Sequence, residues 1–403
     1  MITRRAILKS GIALAGSAAP WHLWAAPGGQ HQPRLLMVFL RGAYDGLSAL
    51  VPYADSYYFE ARPTIAIRAP LRLDARWGLH PALAGSLGSF WESGQLAMVP
   101  FAGTDFVSRS HFQAQDWVEY GQPSGGSIDT RSGFLNRLLV QLGGQPQGAV
   151  SFTSTLPHAL RGPVMVANAR VPRGAVNAGR NPSMRGSQLA FQDLAASMYA
   201  GHATEDLVRE GLGLRREISM DLQNEMMAAS RDALPASGFA QEAVRVARLM
   251  RERPQHTLGF VDVGGWDTHA NQGNETGALA NRLRELGEGL QALADGLGPT
   301  EWTRTVVVVI SEFGRTFREN GTRGTDHGHG TAMWVLGGQV RGGRVVGDQA
   351  PIAAGRLHQD RDLPVLNEYR SVLGGMMQRL YGLSLQATAQ VFPAAAPRDL
   401  GLI

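Results

Sequence analysis

The valine-rich segment 304–314, RTVVVVISEFG, restricts the possible folds of this chain more than any other segment does. It contains six consecutive β-branched residues, from Thr305 to Ile310, and such residues favour a strand. A continuous apolar run, rather than an alternating one, is typical of a strand buried on both faces of a parallel sheet. Ser311 and Glu312 follow directly, so polar side chains stand where this predicted strand ends.

Similar apolar runs recur along the chain, and segments with helical periodicity separate them. We predict strands within residues 34–41, 94–103, 257–265 and 331–338, and helices at 81–92, 204–228, 236–253, 273–297 and 362–381. This alternation predicts an α/β fold with a mostly parallel central sheet and helices on both faces. We expect a single domain over residues 34–400, with a long loop at 169–187.

The first 25 residues combine a basic start with a weakly apolar stretch. Arg4, Arg5 and Lys9 occur there, and no acidic residue does. This pattern predicts a twin-arginine export signal over residues 1–25, an encounter with the twin-arginine export machinery, and a periplasmic or otherwise exported protein. The apolar part is far short of the ~20 residues that a spanning helix needs, so we expect no stable membrane span.

Composition excludes several kinds of chemistry. The chain has no cysteine, and Lys9 is its only lysine. Thiol nucleophiles, thiolate metal ligands, disulfides and a Schiff-base or phosphate-loop lysine are therefore absent from the folded part. Three positive charges of the net +4 lie in the predicted signal, so nothing in the charge indicates a nucleic-acid partner.

Four polar clusters follow predicted strands, which is where sites form in open α/β sheets. They are Asp45; Ser110 with His111; Asp267 with His269; and Glu312 with Asp326, His327 and His329. Taken alone, Asp45 is better explained as the N-cap of a helix. Ser110, with Gln113 three residues later, forms a capping-box pattern, so the cap and nucleophile interpretations both stay open. His111 alone is more typical of a structural histidine.

The segments WDTHANQ and TDHGHG have the strongest metal-binding patterns. Asp267 and His269 are two residues apart, so on extended backbone both side chains can reach one ion. Asp326, His327 and His329 supply three ligands within four positions, between glycines that permit tight backbone geometry. Such ligands predict a divalent metal, zinc in the first place, with manganese, magnesium, calcium or iron as alternatives. The competing interpretation of DHGHG is a polar solvent loop.

The order of these pieces resembles the alkaline phosphatase superfamily. More closely, the chain resembles its bacterial exported branch, domain-of-unknown-function family 1501. The resemblance covers most of residues 34–375 and lies in FLRGAYDGLSALVPY, LHPAL, SRSHFQAQDWVEYG, FVDVGGWDTHANQ, SEFGRTFRENGTRGTDHGHG and EYRSVLGG. It implies an alkaline-phosphatase-like fold.

The superfamily's plan has a first metal-binding Asp, then a Ser or Thr nucleophile, then an Asp/His pair. The resemblance carries these roles to Asp45, to Ser110, and to Asp267 with His269. In this chain the pair is two residues apart, whereas the superfamily usually has it four apart on a helix.

The last part of the plan is an Asp-His-Gly motif and a final His, and two assignments stay open. In the first, Glu312 and Phe313 stand at the motif's Asp and His, and His329 is the final His. In the second, the motif is the later DHG, displaced into a longer loop. We expect Glu312 and His329 as ligands, with Asp326 or His327 in the place that Phe313 cannot fill.

The resemblance implies metal-dependent hydrolysis of a phosphate or sulfate ester, either a small molecule or a polymer, with Ser110 as nucleophile. Arg109 is expected to act beside Ser110 as a catalytic residue, and Arg41, His111 and Arg315 to bind the substrate, since arginine holds oxyanions bidentately. The alternative is a catalytically silent exported scaffold or binding protein with a structural metal site.

Overall fold

The structure is a computed structural model that describes residues 32–125, 128–169 and 227–403, with a few single residues between 198 and 224. Its strands in chain order are β1 (Arg34–Arg41), β2 (Leu50–Val51), β3 (Leu71–Arg72), β4 (Gly78–Leu79), β5 (Leu96–Gly103), β6 (Ala149–Ser151), β7 (Ala167–Asn168), β8 (Leu234–Pro235), β9 (Leu258–Gly264), β10 (Thr305–Ser311), β11 (Thr331–Gly337), β12 (Arg344–Val345) and β13 (Asn367–Glu368). Its α-helices are α1 (Gly46–Ala49), α2 (Ser56–Ala61), α3 (Pro81–Glu92), α4 (His111–Tyr120), α5 (Phe134–Gln141), α6 (Ala236–Glu252), α7 (Ala278–Trp302), α8 (Tyr369–Tyr381) and α9 (Leu385–Val391).

The main sheet has the strand order β12-β5-β11-β10-β1-β9-β6-β7, with β13 beside β5 and β8 beside β9. Strand β1 runs parallel to both of its neighbours, and Val38 stands opposite Val309 on one side and Val261 on the other. Strand β11 is antiparallel to β10 and to β5. The predicted mostly parallel sheet is confirmed, with β11 as an antiparallel strand that the sequence did not indicate.

Alternate residues of β1 enter two different hydrophobic cores. Leu36, Val38 and Leu40 pack in the core that contains residues of α3, α6 and α7. Their neighbours, such as Met37, pack in a second core with residues of α5, α8 and α9. Each large apolar side chain buried in this way contributes on the order of 1.5–3 kcal/mol. Helices therefore cover both faces, as the unbroken apolar strand predicts.

Four of the five predicted helices are present in the described residues, with shifts at their ends. Helix α3 has the predicted bounds, and the His80 side chain accepts a hydrogen bond from the Ala82 amide at its start. Helix α7 begins at Ala278 rather than 273 and continues past a break at Gly298. Its predicted apolar face is buried as expected. Helix α8 begins seven residues after the predicted position, because an irregular segment precedes Tyr369.

Three sequence predictions lie wholly or largely outside the described residues: the export signal at 1–25, the loop at 169–187 and the helix at 204–228. Pro33–Ile403 form one compact unit. Within the part of the chain that the structure describes, no helix is both long and apolar enough to cross a bilayer.

Candidate metal centre

Three neighbouring parallel strands, β1, β9 and β10, end at the same edge of the sheet. Gly42 follows β1 with a φ of 109°, and a Cβ there would lie 2.9 Å from the Asp267 amide nitrogen. Only glycine combines that conformation with so close an approach. The Gly42 amide also donates to Glu312 Oε1 at 2.8 Å. The loops after the three strands therefore meet at Gly42.

A group of potential metal ligands lies at this edge. The ligand atoms of His111, Asp267 and His327 are all within 4.8 Å of one another. His111 Nε2 is 2.9 Å from His327 Nε2 and 3.5 Å from Asp267 Oδ2. His269 adjoins the group, with its Nε2 3.0 Å from His327 Nε2 and 2.9 Å from Asp267 Oδ1. Three imidazoles and one carboxylate thus converge.

The other ring nitrogen of each histidine, Nδ1, faces an oxygen that can only accept a hydrogen bond. The pairs are His111 with Glu312 Oε1 at 2.8 Å, His269 with Asp326 Oδ1 at 3.2 Å, and His327 with the Arg109 carbonyl at 2.8 Å. In a neutral imidazole this places the proton on Nδ1 and turns the lone pair of Nε2 toward the centre. Metal-binding histidines are usually supported in this way.

The centre fits a divalent ion. Asp267 Oδ2 is buried and has no hydrogen-bond partner among the described residues. Nε2 lone pairs that face one another also repel unless a proton or a cation lies between them. A tetrahedral ion with ligands at ~2.1 Å separates its ligand atoms by about 3.4 Å. The contacts among the Nε2 atoms and the Asp267 oxygens run from 2.9 to 3.5 Å, which is close to that value.

Charges in the centre shift the pKa values of its members. Burial alone would raise the carboxyl pKa values, but hydrogen bonds from the histidines hold the pKa of Asp267 far below its usual range. Burial would also raise the pKa of Glu312, but the hydrogen bond and charge of His111 lower it to about 2. Burial would lower the pKa of His111, yet Asp267 and Glu312 raise it to about 9. Without a metal, a proton on His111 therefore supplies the positive charge.

Glu312 and Asp326, both predicted as ligands, lie behind the histidines. Glu312 is fully buried, and besides His111 its oxygens accept from Gly42, from Gln115 Nε2 at 2.9 Å and from Ser311 Oγ at 2.8 Å. It orients His111. Asp326 is half exposed and accepts from Asn320 Nδ2 at 2.9 Å as well as from His269.

Asp45 and His329, also predicted as ligands, are engaged elsewhere. Asp45 is the buried N-cap residue of α1, and its two oxygens accept from Arg62 at 2.6 and 3.1 Å and from Gln272 at 2.7 Å. Asp45 thus stands at the predicted N-cap position, but its side chain makes no capping hydrogen bond to the helix backbone. The His329 ring lies 4.6 Å from that of His358, and burial lowers the pKa of His329 to about 4.

Two arginines predicted to bind substrate are buried. Arg41 pairs with Asp262 at 2.6 Å and with Glu119 at 2.9 Å beneath the centre. Arg315 donates to Asp267 Oδ1 and to the Thr325 carbonyl. The structure therefore places Arg315 behind a ligand, where it leaves Asp267 Oδ2 facing the centre. Neither guanidinium is open to a substrate here.

Ser110 and Arg109 precede His111 at the start of α4. Ser110 is the N-cap residue, but its side chain makes no capping hydrogen bond. The Gln113 side chain accepts from Ser108 Oγ at 2.9 Å instead, so the predicted capping box does not form. The Arg109 side chain is 46% exposed and pairs with Asp362 at 3.3 Å. Arg109 is exposed and Ser110 is partly exposed, so both border solvent.

Sequence reasoning assigned His111 to the substrate, whereas the structure puts it in the centre. No spacing motif links His111 to Asp267 or His327. The one local signal is that Gln115 follows His111 by one helical turn and so lies on the same helix face. Phe313, where the superfamily's plan expects a His, is buried with its ring 4.9 Å from His111 and 5.4 Å from His327. It forms an apolar wall beside the centre.

Fold and site together define an α/β protein with a histidine–aspartate cluster suited to a metal at the carboxyl edge of its sheet. The chain belongs to the family described as "Protein of unknown function (DUF1501)", which matches residues 32–392. None of the curated proteins matches it.

Several solved structures have a distantly similar backbone. A protein of the alkaline phosphatase superfamily from Vibrio parahaemolyticus is 8% identical, with a TM-score of 0.36 over 76% of this chain and 60% of that one. Ps i-CgsB in complex with k-i-k-neocarrahexaose is 10% identical, with a TM-score of 0.37 over 91% and 75%. Lipoteichoic acid synthase LtaP from Listeria monocytogenes is 10% identical, with a TM-score of 0.38 over 92% and 76%. The chain thus spans less than two thirds of the Vibrio protein.

Proposed function

We propose that this protein is an exported, metal-dependent hydrolase of a phosphate or sulfate ester. One observation carries the proposal: three imidazole Nε2 atoms and the unpartnered Asp267 Oδ2 converge at one edge of the sheet, and one of these rings belongs to His111, the residue after Ser110. We assign His111, Asp267, His269 and His327 as the metal ligands. A set of three nitrogens and one oxygen suits zinc first among divalent ions.

Ser110 is the proposed nucleophile. Its hydroxyl is not used for capping, and it stands at the positive end of the α4 dipole, which favours an ionised oxygen and an anionic ester. The first step forms a bond from Ser110 Oγ to phosphorus or sulfur and breaks the bond to the leaving alcohol. Water then releases the acid and regenerates the serine. A bound divalent ion would supply Lewis acidity for both steps.

The remaining residues hold this arrangement. Glu312 and the Arg109 carbonyl fix the rings of His111 and His327, and Phe313 keeps water from one side. The half-exposed Arg109 side chain is the group we assign to the non-bridging oxygens of the ester, since a guanidinium can hold two of them at once.

A second candidate function rests on the same four donors. Structural zinc sites have a closed set of four protein ligands, whereas catalytic sites keep one position open. If all four side chains stay bound, the centre would only stabilise the fold of an exported scaffold or binding protein.

The decisive experiment combines metal analysis with turnover. Mature protein is purified from an exported, folded preparation, its metal content is measured, and a panel of phosphate and sulfate esters is assayed. Ser110→Ala should keep the metal and lose turnover, while Ser89→Ala, an exposed serine on α3, should change neither. Full turnover in Ser110→Ala would reject the nucleophile. A metal-loaded but inert wild type would favour the structural alternative, and a metal-free wild type would reject both.

A further inference from the structure

The three imidazoles of the centre are not held equally. The His111 side chain is 3% exposed, and its acceptor Glu312 is wholly buried at 2.8 Å. The His269 side chain is 15% exposed, and its acceptor Asp326 is 50% exposed at 3.2 Å. A carboxylate half in water is screened by the high dielectric, so it restrains its partner less than a buried one does. The His327 side chain is 13% exposed, but its Nδ1 lies 2.8 Å from a backbone carbonyl, so His269, with the longest supporting contact of the three, is the most weakly anchored ring.

The backbone around these rings shows the same difference. His111 is the first residue of helix α4, and His327 forms a bridge of backbone pairing with Arg315. His269 lies between β9 and α7 in a segment without helix or strand. Rotation of its side chain therefore needs no change in a regular element.

The centre also keeps enough donors without His269. His111, Asp267 and His327 by themselves bring their ligand atoms within 4.8 Å of one another. Three protein ligands plus one open position is the usual composition of a catalytic zinc site. The fourth position is then the one that His269 fills from the more exposed side.

We propose that His269 is the exchangeable member of the donor set, and that a tetrahedral oxyanion such as phosphate, sulfate or an ester of either takes its place. This inference rests on the metal binding proposed above and goes beyond it, because it names the ligand that leaves and the chemical class that enters. It also reconciles four convergent donors with a catalytic centre, which must have room for substrate.

The test uses the full mature protein loaded with Co²⁺, whose visible absorption depends on the number and type of its ligands. Wild type, His269→Ala and His111→Ala are titrated with Co²⁺, then with inorganic phosphate or sulfate, and the first variant also with free imidazole. His269→Gln, which removes the ring but keeps a polar side chain beside Asp326, serves if the alanine variant does not fold.

We expect His269→Ala to bind Co²⁺ with an affinity lowered by no more than ~100-fold, the size of loss typical of a supporting group, and His111→Ala to lose binding altogether. Imidazole should restore the wild-type spectrum of His269→Ala. Adding phosphate or sulfate to the Co²⁺-loaded wild type should shift its spectrum toward the spectrum of Co²⁺-loaded His269→Ala protein with the same anion bound.

Two results would overturn the inference while the metal centre stands. One is a loss of Co²⁺ in His269→Ala and His269→Gln as complete as in His111→Ala. The other is a wild-type Co²⁺ spectrum that neither anion changes. A wild type that binds no Co²⁺ would reject the proposed function together with this inference.

Discussion

Two buried polar clusters lie near the carboxyl edge of the same sheet, and they differ in whether their atoms are satisfied. In the Asp45 cluster, both carboxylate oxygens accept hydrogen bonds from Arg62, and Ser48 and Gln272 add further donors to one of them. In the histidine cluster, Asp267 Oδ2 is buried without such a partner, and imidazole nitrogens face one another.

The difference separates a structural polar group from a binding site. A buried carboxylate that is matched by a buried guanidinium is complete within the protein. Buried atoms that lack a partner cost free energy unless something else supplies one. Arg62 reaches both oxygens of Asp45, whereas the buried Arg315 reaches only Oδ1 of Asp267. We infer that a divalent ion is the partner of Asp267 Oδ2. Asp45 looked like a ligand in the sequence because a carboxylate after a strand does not reveal its partner.

The largest effect should come from breaking the satisfied cluster. Asp45→Ala leaves the buried Arg62 guanidinium without its counter-charge, and we expect a loss of about 3–5 kcal/mol in the free energy of unfolding. Urea denaturation measures this loss. The metal content should not change, because Asp45 lies outside the donor group. The double variant Asp45→Ala/Arg62→Met should recover part of the stability. Folded Asp45→Ala protein without metal would make Asp45 a ligand after all.

Stability should depend on metal at the other cluster. An ion that binds only the folded chain stabilises it by about 2.7 kcal/mol when its free concentration is 100 times its Kd. We expect this gain for wild type and for Asp45→Ala, and none for His111→Ala/His327→Ala. Unfolding with zinc and with chelator measures it in matched samples. Equal stability of wild type in both conditions would contradict a metal centre.

The sequence predicted the sheet well because burial on both faces leaves a direct mark on composition. The apolar runs at 34–41 and 304–314 became the two central strands β1 and β10. The antiparallel direction of β11 left no such mark, because an apolar strand is compatible with either direction. Helix ends were predicted less well, since local signals compete there, as at the start of α8.

Spacing in the sequence singled out Asp267, His269 and His327, and the structure brings these three side chains together. Their role as ligands is our proposal. The roles of Glu312, predicted as a ligand, and of His111, predicted as a substrate contact, could not be distinguished from sequence. Both roles depend on which of two touching side chains faces the centre, and residues 201 positions apart carry no local record of that contact. The contact between Asp326 and His269 joins residues 57 positions apart, so the sequence does not show it either.

The outer acceptors should matter in proportion to their burial. Glu312→Gln keeps the size of the side chain but cannot accept equally well from His111, so we expect metal affinity to fall by roughly 10–100-fold. Asp326→Asn, the matched change at the half-exposed acceptor, should cost less than Glu312→Gln does. Competition with a chromophoric chelator measures both affinities. An effect of Asp326→Asn as large as that of Glu312→Gln would remove the asymmetry on which the exchange of His269 rests.

The last prediction concerns pH. In the metal-free protein, Asp267 and Glu312 raise the pKa of His111 from 6.5 to about 9. The stabilisation from His111 protonation is thus complete below pH 6.5 and is lost as the pH rises through about 9. A metal must displace that proton, so its affinity should rise by about tenfold per pH unit between pH 7 and 9 and then level off.

Calorimetry in two buffers of different ionisation enthalpy measures the proton released on metal binding, and chelator competition measures the affinity at each pH. Glu312→Gln removes one of the charges that hold the proton on His111, so its affinity should level off at a lower pH than that of wild type. An affinity that does not change between pH 7 and 9 would mean that His111 is already neutral without metal.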